Sequence, residues 1–462
     1  MVISTVLAAS VLAAATLPAA PPAPPAPPAT AVAPGTFPDV SGDWANLDVG
    51  STPGKGNPFS QAIGTNGRSC ASCHVQSDAW TSTPPNLQKR FSNTAGEDPI
   101  FASVDGTNCP SLPIATPAER QAASSLLLSK GLVRIALSMP ASAQFALTDV
   151  VNPYGCSSTI MVSVYRRIPT TANLAFLSTV MWDGRESLTS GSIPADLIHQ
   201  AGDAVTTHEG TSSVTAESVV QSMESFEIAQ FGAQTIDAAA GALNAVGALG
   251  GPVNLSRQPF ALGVNDPFGA AAPSPGVPPT AVFTLYTAWS GLTGVDSVSK
   301  ARASIARGEH IFNTRPMTIS GVAGINDQIA ANGLARTTVT GTCGTCHNAP
   351  NAGNHSVAAL FNTGVADGAR RSADLPLLTL INRTTGATVQ STDPGLALTS
   401  GKWADVGKFK VPTLRLLAAR APYFHNGSAP TLGAVVAFYD QRFDLNLSAQ
   451  ERAHLVAFMS AL

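Results

Sequence analysis

The amino-acid sequence predicts a mainly α-helical protein made of two small helical domains, with long loops and few short strands. The first observation behind this prediction is a cysteine–histidine motif that occurs twice, at residue 70 and again at residue 343. The second is a set of helix start and stop signals around the second copy. The third is the spread of 40 glycines and 35 prolines along the chain, which favours long loops between short elements over a large regular sheet.

The composition excludes several classes of protein. Hydrophobic residues make up 44% of the 462 residues and charged residues 12%, which argues against disorder and allows two or three domains with a sizeable core. The formal net charge is −3, and Lys and Arg form no cluster. We therefore expect neither a nucleic acid nor an anionic membrane surface as a partner.

The N-terminal segment is typical of an exported protein. Residues 2–17 form an apolar run that is too short for a comfortable transmembrane span. Small residues follow from Pro18 onward, as at a signal-peptide cleavage site, and a Pro-rich spacer extends to residue 38. No basic residue precedes the run, and an uncleaved N-terminal anchor is the alternative. We expect a periplasmic location, no other membrane segment, and no part in the fold for residues 1–38.

The first predicted domain covers residues 39–298 and has weak local signals. The stretch Pro117–Gly131 should be helical, because Pro favours the first helical position and Gly the position after the end. Residues 162–167 precede a proline and indicate a short strand or extended segment. Residues 212–250, rich in Ala, Ser and Val, indicate helices with loose boundaries.

The second predicted domain, residues 299–462, has clearer signals. The proline-rich residues 263–280 connect it to the first domain. Residues 301–312 have Gly308 between apolar residues at helical spacing, so one side of this helix can approach another helix closely. Residues 448–451 form a capping box that opens a last helix with an apolar stripe.

The two motifs have the form Cys-x-x-Cys-His, with Cys70, Cys73 and His74 in the first and Cys343, Cys346 and His347 in the second. This spacing is that of c-type haem attachment, in which two thiols bind the porphyrin and the histidine becomes the proximal iron ligand. A structural zinc site would need four ligands, usually from paired Cys-x-x-Cys units, and a thioredoxin-like pair gives no reason for the histidine. Helices on both sides of the second motif complete the plan of a small cytochrome c domain. We therefore predict two covalently bound haem c groups, one in each domain.

Two cysteines remain, Cys109 and Cys156. Because their number is even and the chain is apparently exported, a disulfide between them is the natural interpretation. In the chain-entropy model the bridge would contribute ~4 kcal/mol of stability. Two buried free thiols are the alternative.

Further histidines are candidates for sixth iron ligands or acid–base groups, although a hydrogen-bonded structural histidine is the commoner outcome for each. They are His199, His208, His310, His355, His425 and His454. No histidine lies between His74 and His199, so the iron held by His74 has no sequence-local imidazole for its sixth position. We expect this iron to be open to a small ligand.

Two longer elements resemble a known family. They are Met181-Trp-Asp-Gly-Arg185, and Phe409-Lys-Val-Pro-Thr-Leu-Arg415 followed by Ala421-Pro-Tyr-Phe-His-Asn-Gly427. Together with the haem motifs, they come in the order found in the bacterial di-haem cytochrome c peroxidases and their relative MauG, which the chain resembles over most of residues 60–462. The resemblance implies a peroxidatic N-terminal haem, an electron-transferring C-terminal haem, and Trp182 between them. A large core tryptophan is the alternative.

The resemblance also implies a ligand for the second haem. In the peroxidases, a methionine lies fourteen residues after the histidine of the Pro-Tyr-Phe-His element. Counting from His425 leads to Tyr439, and MauG is similar in having a tyrosinate there. A phenolate stabilises ferric iron, which would lower the potential of this haem. A core tyrosine with a hydrogen-bonded hydroxyl is the alternative.

The chain departs from the family at several positions. The peroxidases have a distal histidine shortly after the first motif. This chain has Trp80 in that region and no histidine. An insertion near residues 95–165 contains the two spare cysteines, and its role is unknown. Arg167 stands at the position of an asparagine that helps bind calcium in the family, which makes bound calcium doubtful.

The family's catalytic glutamate has no match in register. In the corresponding stretch after Gln200, His208 and Glu209 are out of register by one or two positions. Either could transfer the peroxide proton. We favour His208, because a histidine does this at neutral pH whereas a glutamate needs burial to raise its pKa.

The sequence therefore predicts an exported haem c oxidoreductase that reduces hydrogen peroxide at the N-terminal haem. Electrons would come through the C-terminal haem from a small donor protein, a cytochrome c or a cupredoxin. Two alternatives stay open. One is a MauG-like or polymer-cleaving di-haem oxidase or oxygenase, and the other is a non-enzymatic electron-transfer cytochrome with both irons blocked.

Overall fold

The computed structural model describes residues 35–50, 56–187, 191–328 and 336–462. Of these described residues, 32% are helical and 18% lie in strands, which form several sheets. The prediction of a mainly α-helical protein with few short strands is therefore wrong. The many glycines and prolines do not exclude strands, because they also form the turns between short antiparallel strands.

The helices of the described chain range from one turn to five turns. In chain order they are α1 (Cys70–Cys73), α2 (Pro84–Thr94), α3 (Pro117–Ala123), α4 (Ser125–Lys130), α5 (Ile193–His208), α6 (Glu217–Ile228), α7 (Pro252–Ser256), α8 (Ser297–Thr314), α9 (Ala397–Ser400), α10 (Leu432–Phe443) and α11 (Ala449–Ser460). Short 3₁₀ helices lie at Pro58–Ser60, Gln76–Asp78, Pro99–Phe101, Leu174–Phe176, Thr287–Trp289, Cys343–Thr345, Gly368–Arg370 and Trp403–Asp405.

The strands of the described chain are short. In chain order they are β1 (Gly35–Pro38), β2 (Gly42–Asp48), β3 (Leu132–Ser138), β4 (Phe145–Val151), β5 (Met161–Arg167), β6 (Gln230–Asp237), β7 (Gly241–Ala242), β8 (Met317–Ser320), β9 (Thr338–Gly341), β10 (Leu360–Phe361), β11 (Leu377–Asn382), β12 (Thr388–Ser391) and β13 (Phe409–Lys410). They pair antiparallel in small sheets with the orders β1-β2-β6-β7, β12-β11-β4, β3-β5, β8-β9 and β10-β13.

The N-terminal segment lies mostly outside the described residues. The apolar run at residues 2–17 and most of the Pro-rich spacer are among the residues that are not described. Within the described ranges, no helix combines the length and apolar character needed to span a membrane. Gly35–Pro38, at the end of the predicted spacer, pair with β2 as strand β1.

The β1-β2-β6-β7 sheet corrects one local prediction. Residues 212–250 were expected to be helical, but only α6 is helical there, and β6 follows it directly. β6 pairs with β2 along its length, from Asp237 opposite Gly42 to Gln230 opposite Asp48. The first five residues of β6, 230–234, are all buried, so this strand lacks the alternation of apolar and polar residues by which a half-buried strand is predicted.

The insertion near residues 95–165 forms strands, and one of them, β4, connects it to the C-terminal half of the chain. β3 pairs with β5 over its whole length, which confirms the strand expected at residues 162–167. β4 pairs with β11 of the C-terminal half. The expected helix at residues 117–131 is present as α3 and α4, with a break at Ser124. A disulfide joins Cys109 to Cys156, with the two Cα atoms 5.7 Å apart.

In the C-terminal half, α8 and α11 pack closely, as the sequence predicts. A Cβ atom on Gly308 would lie 2.0 Å from the carbonyl oxygen of His454 and 2.5 Å from the Cβ of Phe458, so the contact requires glycine. The predicted capping box is also present, since the Ser448 hydroxyl accepts from the Glu451 N–H and the Glu451 carboxylate accepts from the Ser448 N–H. This helix pair belongs to a large hydrophobic core beside the second cysteine motif.

Candidate active site

The first motif is built on a single helical turn. α1 contains Cys70 and Cys73, and their spacing of three residues places both thiols on one side of the turn. His74 follows, and its Nδ1 lies 3.1 Å from the carbonyl oxygen of Trp80, so Nε2 is the nitrogen left for a metal. Hydrogen bonds of this kind commonly orient metal-ligating histidines. Burial lowers the pKa of His74 to about 4, which keeps the ring in the neutral form that binds metals.

A cavity with about 1200 Å³ of empty space, its mouth included, opens beside α1. Both thiols and His74 line it, together with apolar residues of α5 and of the segment that precedes it. Its wall also contains the ionisable side chains of Arg68, Asp105, His208, Glu209 and Glu227. The structure thus brings His208 and Glu209, the two candidates from the sequence, to the same cavity as the first haem motif.

His208 is held by a partner that the sequence did not reveal. Its Nδ1 lies 2.6 Å from Oδ2 of Asp105, and Oδ1 of Asp105 lies 2.5 Å from Nη1 of Arg68. Burial by itself would raise the pKa of Asp105, but the hydrogen bond with His208 and the Arg68 charge outweigh it and lower the pKa. Asp105 stays ionised and accepts two hydrogen bonds.

Glu209 has a different environment. Its Oε2 accepts from the backbone N–H groups of Ile63 and Gly64, at 2.9 and 3.4 Å, and its Oε1 lies 3.8 Å from the sulfur of Cys70. Burial raises the pKa of this carboxyl, although the two backbone hydrogen bonds oppose the rise. The carboxylate therefore fixes the loop that precedes the first motif and lies against a thiol that would bind the porphyrin.

Glu227, at the end of α6, is a second residue that sequence reasoning missed. It is only 6% exposed, and among the described residues its Oε2 has no hydrogen-bond partner. Burial raises its pKa to about 8, and the neighbouring Glu224 adds to the rise. A signal was present in the sequence, because Glu227 continues the apolar stripe of Val220 and Met223 on this helix. The cavity therefore contains a carboxylic acid that is largely neutral at pH 7.

The second motif is built in the same way on a 3₁₀ turn. Thr342 caps the turn by accepting from the Gly344 N–H, and the His347 N–H donates to the Cys343 carbonyl at 3.1 Å. Nδ1 of His347 lies 2.5 Å from the Gly353 carbonyl oxygen, which again leaves Nε2 for a metal. Burial lowers the pKa of His347 to about 4. The two motifs thus present equivalent sets of two thiols and one oriented imidazole.

A second cavity, with about 1670 Å³ of empty space including its mouth, is lined by Cys343, Cys346 and His347. Tyr439 of α10 also lines it. Its hydroxyl makes no hydrogen bond to the described residues, whereas buried tyrosine hydroxyls usually find a partner. Burial raises its pKa, and the nearby Cys346 adds to the rise. An apolar cavity with an unpartnered phenol suits an iron that accepts an oxygen ligand.

Trp182 lies in the wall of both cavities. Its indole Nε1 donates to the Arg167 carbonyl at 2.8 Å, and its own carbonyl accepts from the Lys410 N–H at 2.9 Å. Its ring centre lies 6.2 Å from that of His425, in an edge-to-face arrangement. The structure therefore brings the predicted bridging tryptophan between the two motifs.

The element that contains Trp182 is fixed by buried ion pairs. Asp183 is fully buried, and its carboxylate lies 2.5 Å from Arg166 and 2.9 Å from Arg185. Burial alone would raise the pKa of Asp183, but the two guanidinium groups outweigh it and lower the pKa to about 2. Arg166 also pairs with Asp393 at 2.6 Å. These ion pairs thus join β5, the element that contains Trp182 and the C-terminal half of the chain.

Arg167 lies between the cavities and holds carbonyl oxygens. Its guanidinium donates to the carbonyls of Ser82, Lys130 and Arg420, at 2.9, 3.0 and 3.2 Å. These carbonyls come from both halves of the chain. A fixed positive charge therefore faces these oxygens.

The other histidines differ in environment. His425 lines the second cavity, stacks on Phe409 with ring centres 3.8 Å apart, and has a buried Nε2 without a partner among the described residues. His199 is hydrogen-bonded to Glu186, His355 to the Cys346 carbonyl and His454 to Ser304, and these three have structural partners.

The residues fit the group that the motifs predict. Each cavity offers two half-buried thiols and an imidazole whose remaining nitrogen is free for iron, in predominantly apolar surroundings. Neither motif has another cysteine nearby that would complete a zinc site. The donor set of each cavity thus suits a c-type haem.

Comparisons with known proteins agree with this donor set. Residues 60–245 match the family model of the di-haem cytochrome c peroxidases. The chain is 34% identical over 140 residues to cytochrome-c peroxidase IdrP1 and 36% identical over 135 residues to cytochrome-c peroxidase IdrP2, both of Denitromonas iodatirespirans. Each match covers 26% of this chain and 36% of the relative, so the chain spans about a third of the length of these relatives.

One solved structure has a limited similarity to this chain. It is the crystal structure of a MauG-like protein associated with microbial copper homeostasis, with 15% identity and a TM-score of 0.39 over 88% of this chain and 86% of that chain. The family model and the peroxidase relatives confirm the resemblance that the motifs predict: residues 60–245 match the model of the di-haem cytochrome c peroxidases, and the chain is similar to curated cytochrome-c peroxidases.

Proposed function

We propose that this protein reduces hydrogen peroxide to water in the N-terminal cavity, with electrons that enter at the C-terminal cavity. The reaction takes one peroxide, two electrons and two protons and gives two waters. A difference between the two cavities supports this direction of electron transfer, from the C-terminal to the N-terminal cavity. The N-terminal cavity has a histidine held by a carboxylate, whereas the C-terminal cavity has an unpartnered phenol suited to iron ligation.

A c-type haem in each cavity would supply an iron that exchanges electrons and, in the N-terminal cavity, an iron that binds the peroxide. His208 supplies the proton chemistry. Its Nδ1–H is engaged by Asp105, so Nε2 can take the proton from one peroxide oxygen and return it to the departing oxygen. Water then becomes the leaving group, and general acid–base catalysis of this kind is worth roughly 10²–10⁴-fold.

Trp182 is proposed to carry electrons between the two cavities, because it lines both of them. The electrons would come from a small donor protein that contains haem c or copper. Export to the periplasm belongs to this proposal, and the Cys109–Cys156 disulfide supports it, because such bridges persist in oxidising compartments.

A MauG-like oxidation of another substrate is a second candidate. The observation that favours it is the Tyr439 hydroxyl, which has no hydrogen bond among the described residues and would stabilise oxidised iron as a phenolate. In this reading peroxide still reacts in the N-terminal cavity, but the electrons come from a protein or polymer substrate.

Steady-state turnover of peroxide with reduced cytochrome c tests the proposal. Wild-type holoprotein should oxidise the cytochrome, and Trp182→Phe should slow this oxidation without preventing peroxide from changing the spectrum of the N-terminal haem. Peroxide consumption only with an added protein or polymer substrate would favour the second candidate. If the protein does not react with peroxide under either condition, the result would favour a non-enzymatic electron-transfer cytochrome.

A further inference from the structure

We propose that Asp105, contributed by the insertion near residues 95–165, is a positioning residue that fixes the tautomer of His208 so that Nε2 is the base of the N-terminal cavity. This inference rests on the proposed function, in which His208 transfers the peroxide proton. It also gives the insertion a role that the sequence left open.

The contacts define the tautomer. An ionised carboxylate only accepts hydrogen bonds, so the 2.6 Å contact with Asp105 requires a proton on Nδ1 of His208. In the neutral ring Nε2 is then without a proton and can accept one. Nε2 makes no hydrogen bond to the described residues, and the His208 side chain is 36% exposed at the cavity wall.

Arg68 fixes the carboxylate itself. Besides its contact with Asp105, Arg68 donates through Nε to the Pro99 carbonyl at 2.7 Å and through Nη2 to the Ile100 carbonyl at 2.9 Å. The arginine is 1% exposed, so it cannot turn toward solvent. Oδ1 of Asp105 is therefore reserved for Arg68, and only Oδ2 is available to His208.

The loop that contains Asp105 is held at both ends. The Asp105 carbonyl accepts from the Arg134 N–H of β3 at 2.9 Å, and the Gly106 N–H donates to the Ala102 carbonyl at 2.8 Å. Four residues beyond Asp105, Cys109 is joined to Cys156. The β3–β5 pair and the disulfide thus place the carboxylate beside His208.

The charged groups that face His208 come from three elements. Asp105 and Arg68 lie on one side, Glu209 follows it in the chain, and His74 lies in the same cavity. Of these charged groups, Asp105 is hydrogen-bonded to the His208 ring, whereas the Glu209 carboxylate is bound to the Ile63 and Gly64 N–H groups.

The variant Asp105→Asn makes a specific prediction. Arg68 needs an acceptor, so the amide oxygen of the new asparagine takes the Oδ1 position and its NH₂ group faces His208. Nδ1 must then accept, the proton moves to Nε2, and the base is lost. A carboxylate-to-amide change with this effect on a paired histidine is very costly in serine proteases.

Cyanide and carbon monoxide distinguish loss of the base from damage to the cavity. Hydrogen cyanide gives up its proton when its anion binds ferric haem, so its binding needs the base, whereas carbon monoxide binding to ferrous haem transfers no proton. Stopped-flow measurements on holoprotein should show cyanide binding to the N-terminal haem slowed about 100-fold in Asp105→Asn. Carbon monoxide binding should stay within about twofold of wild type.

The matched control is Asp98→Asn, which removes an ion pair with Arg90 from the same segment but does not contact His208. Its cyanide rate should stay at the wild-type value. A second variant, His208→Gln, should slow cyanide binding as much as Asp105→Asn does, and it tests the base even if Asp105→Asn retains little haem. The inference is overturned if Asp105→Asn or His208→Gln binds cyanide at the wild-type rate, or if the rates for both ligands fall together.

Failure of the proposed function gives a different result. A wild-type protein that does not react with peroxide would refute peroxide reduction, while the cyanide rates would still decide whether Asp105 positions His208.

Discussion

Replacing Glu227 by glutamine should change how the stability of the protein depends on pH. Glu227 lies in the N-terminal cavity wall with a buried carboxyl oxygen that lacks a partner among the described residues. Burial raises its folded-state pKa from 4.5 to about 8. An acid with a raised pKa binds its proton more tightly in the folded state, so its contribution favours folding at low pH and is lost as pH rises. Glutamine cannot ionise and removes this dependence.

The magnitude follows from the two pKa values. Each unit of pKa difference corresponds to about 1.4 kcal/mol, and most of the interval between 4.5 and about 8 lies between pH 5 and pH 8. Across that range, ionisation of Glu227 should lower the free energy of unfolding by about 3.5 kcal/mol as an upper limit. The difference in the free energy of unfolding between Glu227→Gln and wild type should therefore increase steadily with pH.

Urea unfolding of both proteins at pH 5, 6, 7 and 8 measures this difference. Glu217→Gln is the control, because Glu217 is an exposed residue in the first turn of the same helix. Its difference from wild type should be small and constant over this range. A difference between Glu227→Gln and wild type that is equally flat would refute the idea that this carboxyl is kept neutral by burial.

Three other substitutions test separate parts of the structure. Gly308→Ala should cost about 2 kcal/mol in urea unfolding, because its Cβ would lie 2.0 Å from a backbone oxygen of α11, whereas Gly433→Ala, with no neighbour closer than 3.7 Å, should cost nothing; equal costs would contradict the close helix contact. Tyr439→Phe should convert the low-spin electron paramagnetic resonance signal of the C-terminal haem to high spin, and an unchanged spectrum would exclude the phenol as a ligand. Asp183→Asn should destabilise the protein by about 3 kcal/mol, because it removes the buried charge that Arg166 and Arg185 share and leaves Arg166 with Asp393 alone. Glu97→Gln, in an exposed pair, should cost less than about 1 kcal/mol, and similar values would contradict the role of the buried network.

Features that depend on neighbouring residues could be predicted from the sequence. The capping box at residues 448–451 and the close contact at Gly308 follow from spacings of three or four residues. The two Cys-x-x-Cys-His motifs are also local, and the structure gives both the same hydrogen-bonded histidine. Local spacing is set by helix geometry, so such features are readable before the fold is known.

Features that depend on distant residues could not be predicted. Asp105 and His208 are 103 residues apart in the chain, and nothing in either neighbourhood indicates that they meet. The pairing of β4 with β11 likewise joins segments more than 200 residues apart, through a register that only the folded chain defines. For the same reason, the amount of strand structure was underestimated.

The proposed function requires an N-terminal iron that is open and reactive and a C-terminal iron that has two protein ligands. Electron paramagnetic resonance of the ferric holoprotein tests this claim most directly, because it reports the spin state and axial ligands of both irons. We predict one high-spin signal that changes on addition of peroxide and one low-spin signal that depends on Tyr439. Two low-spin signals that are both indifferent to peroxide would contradict it.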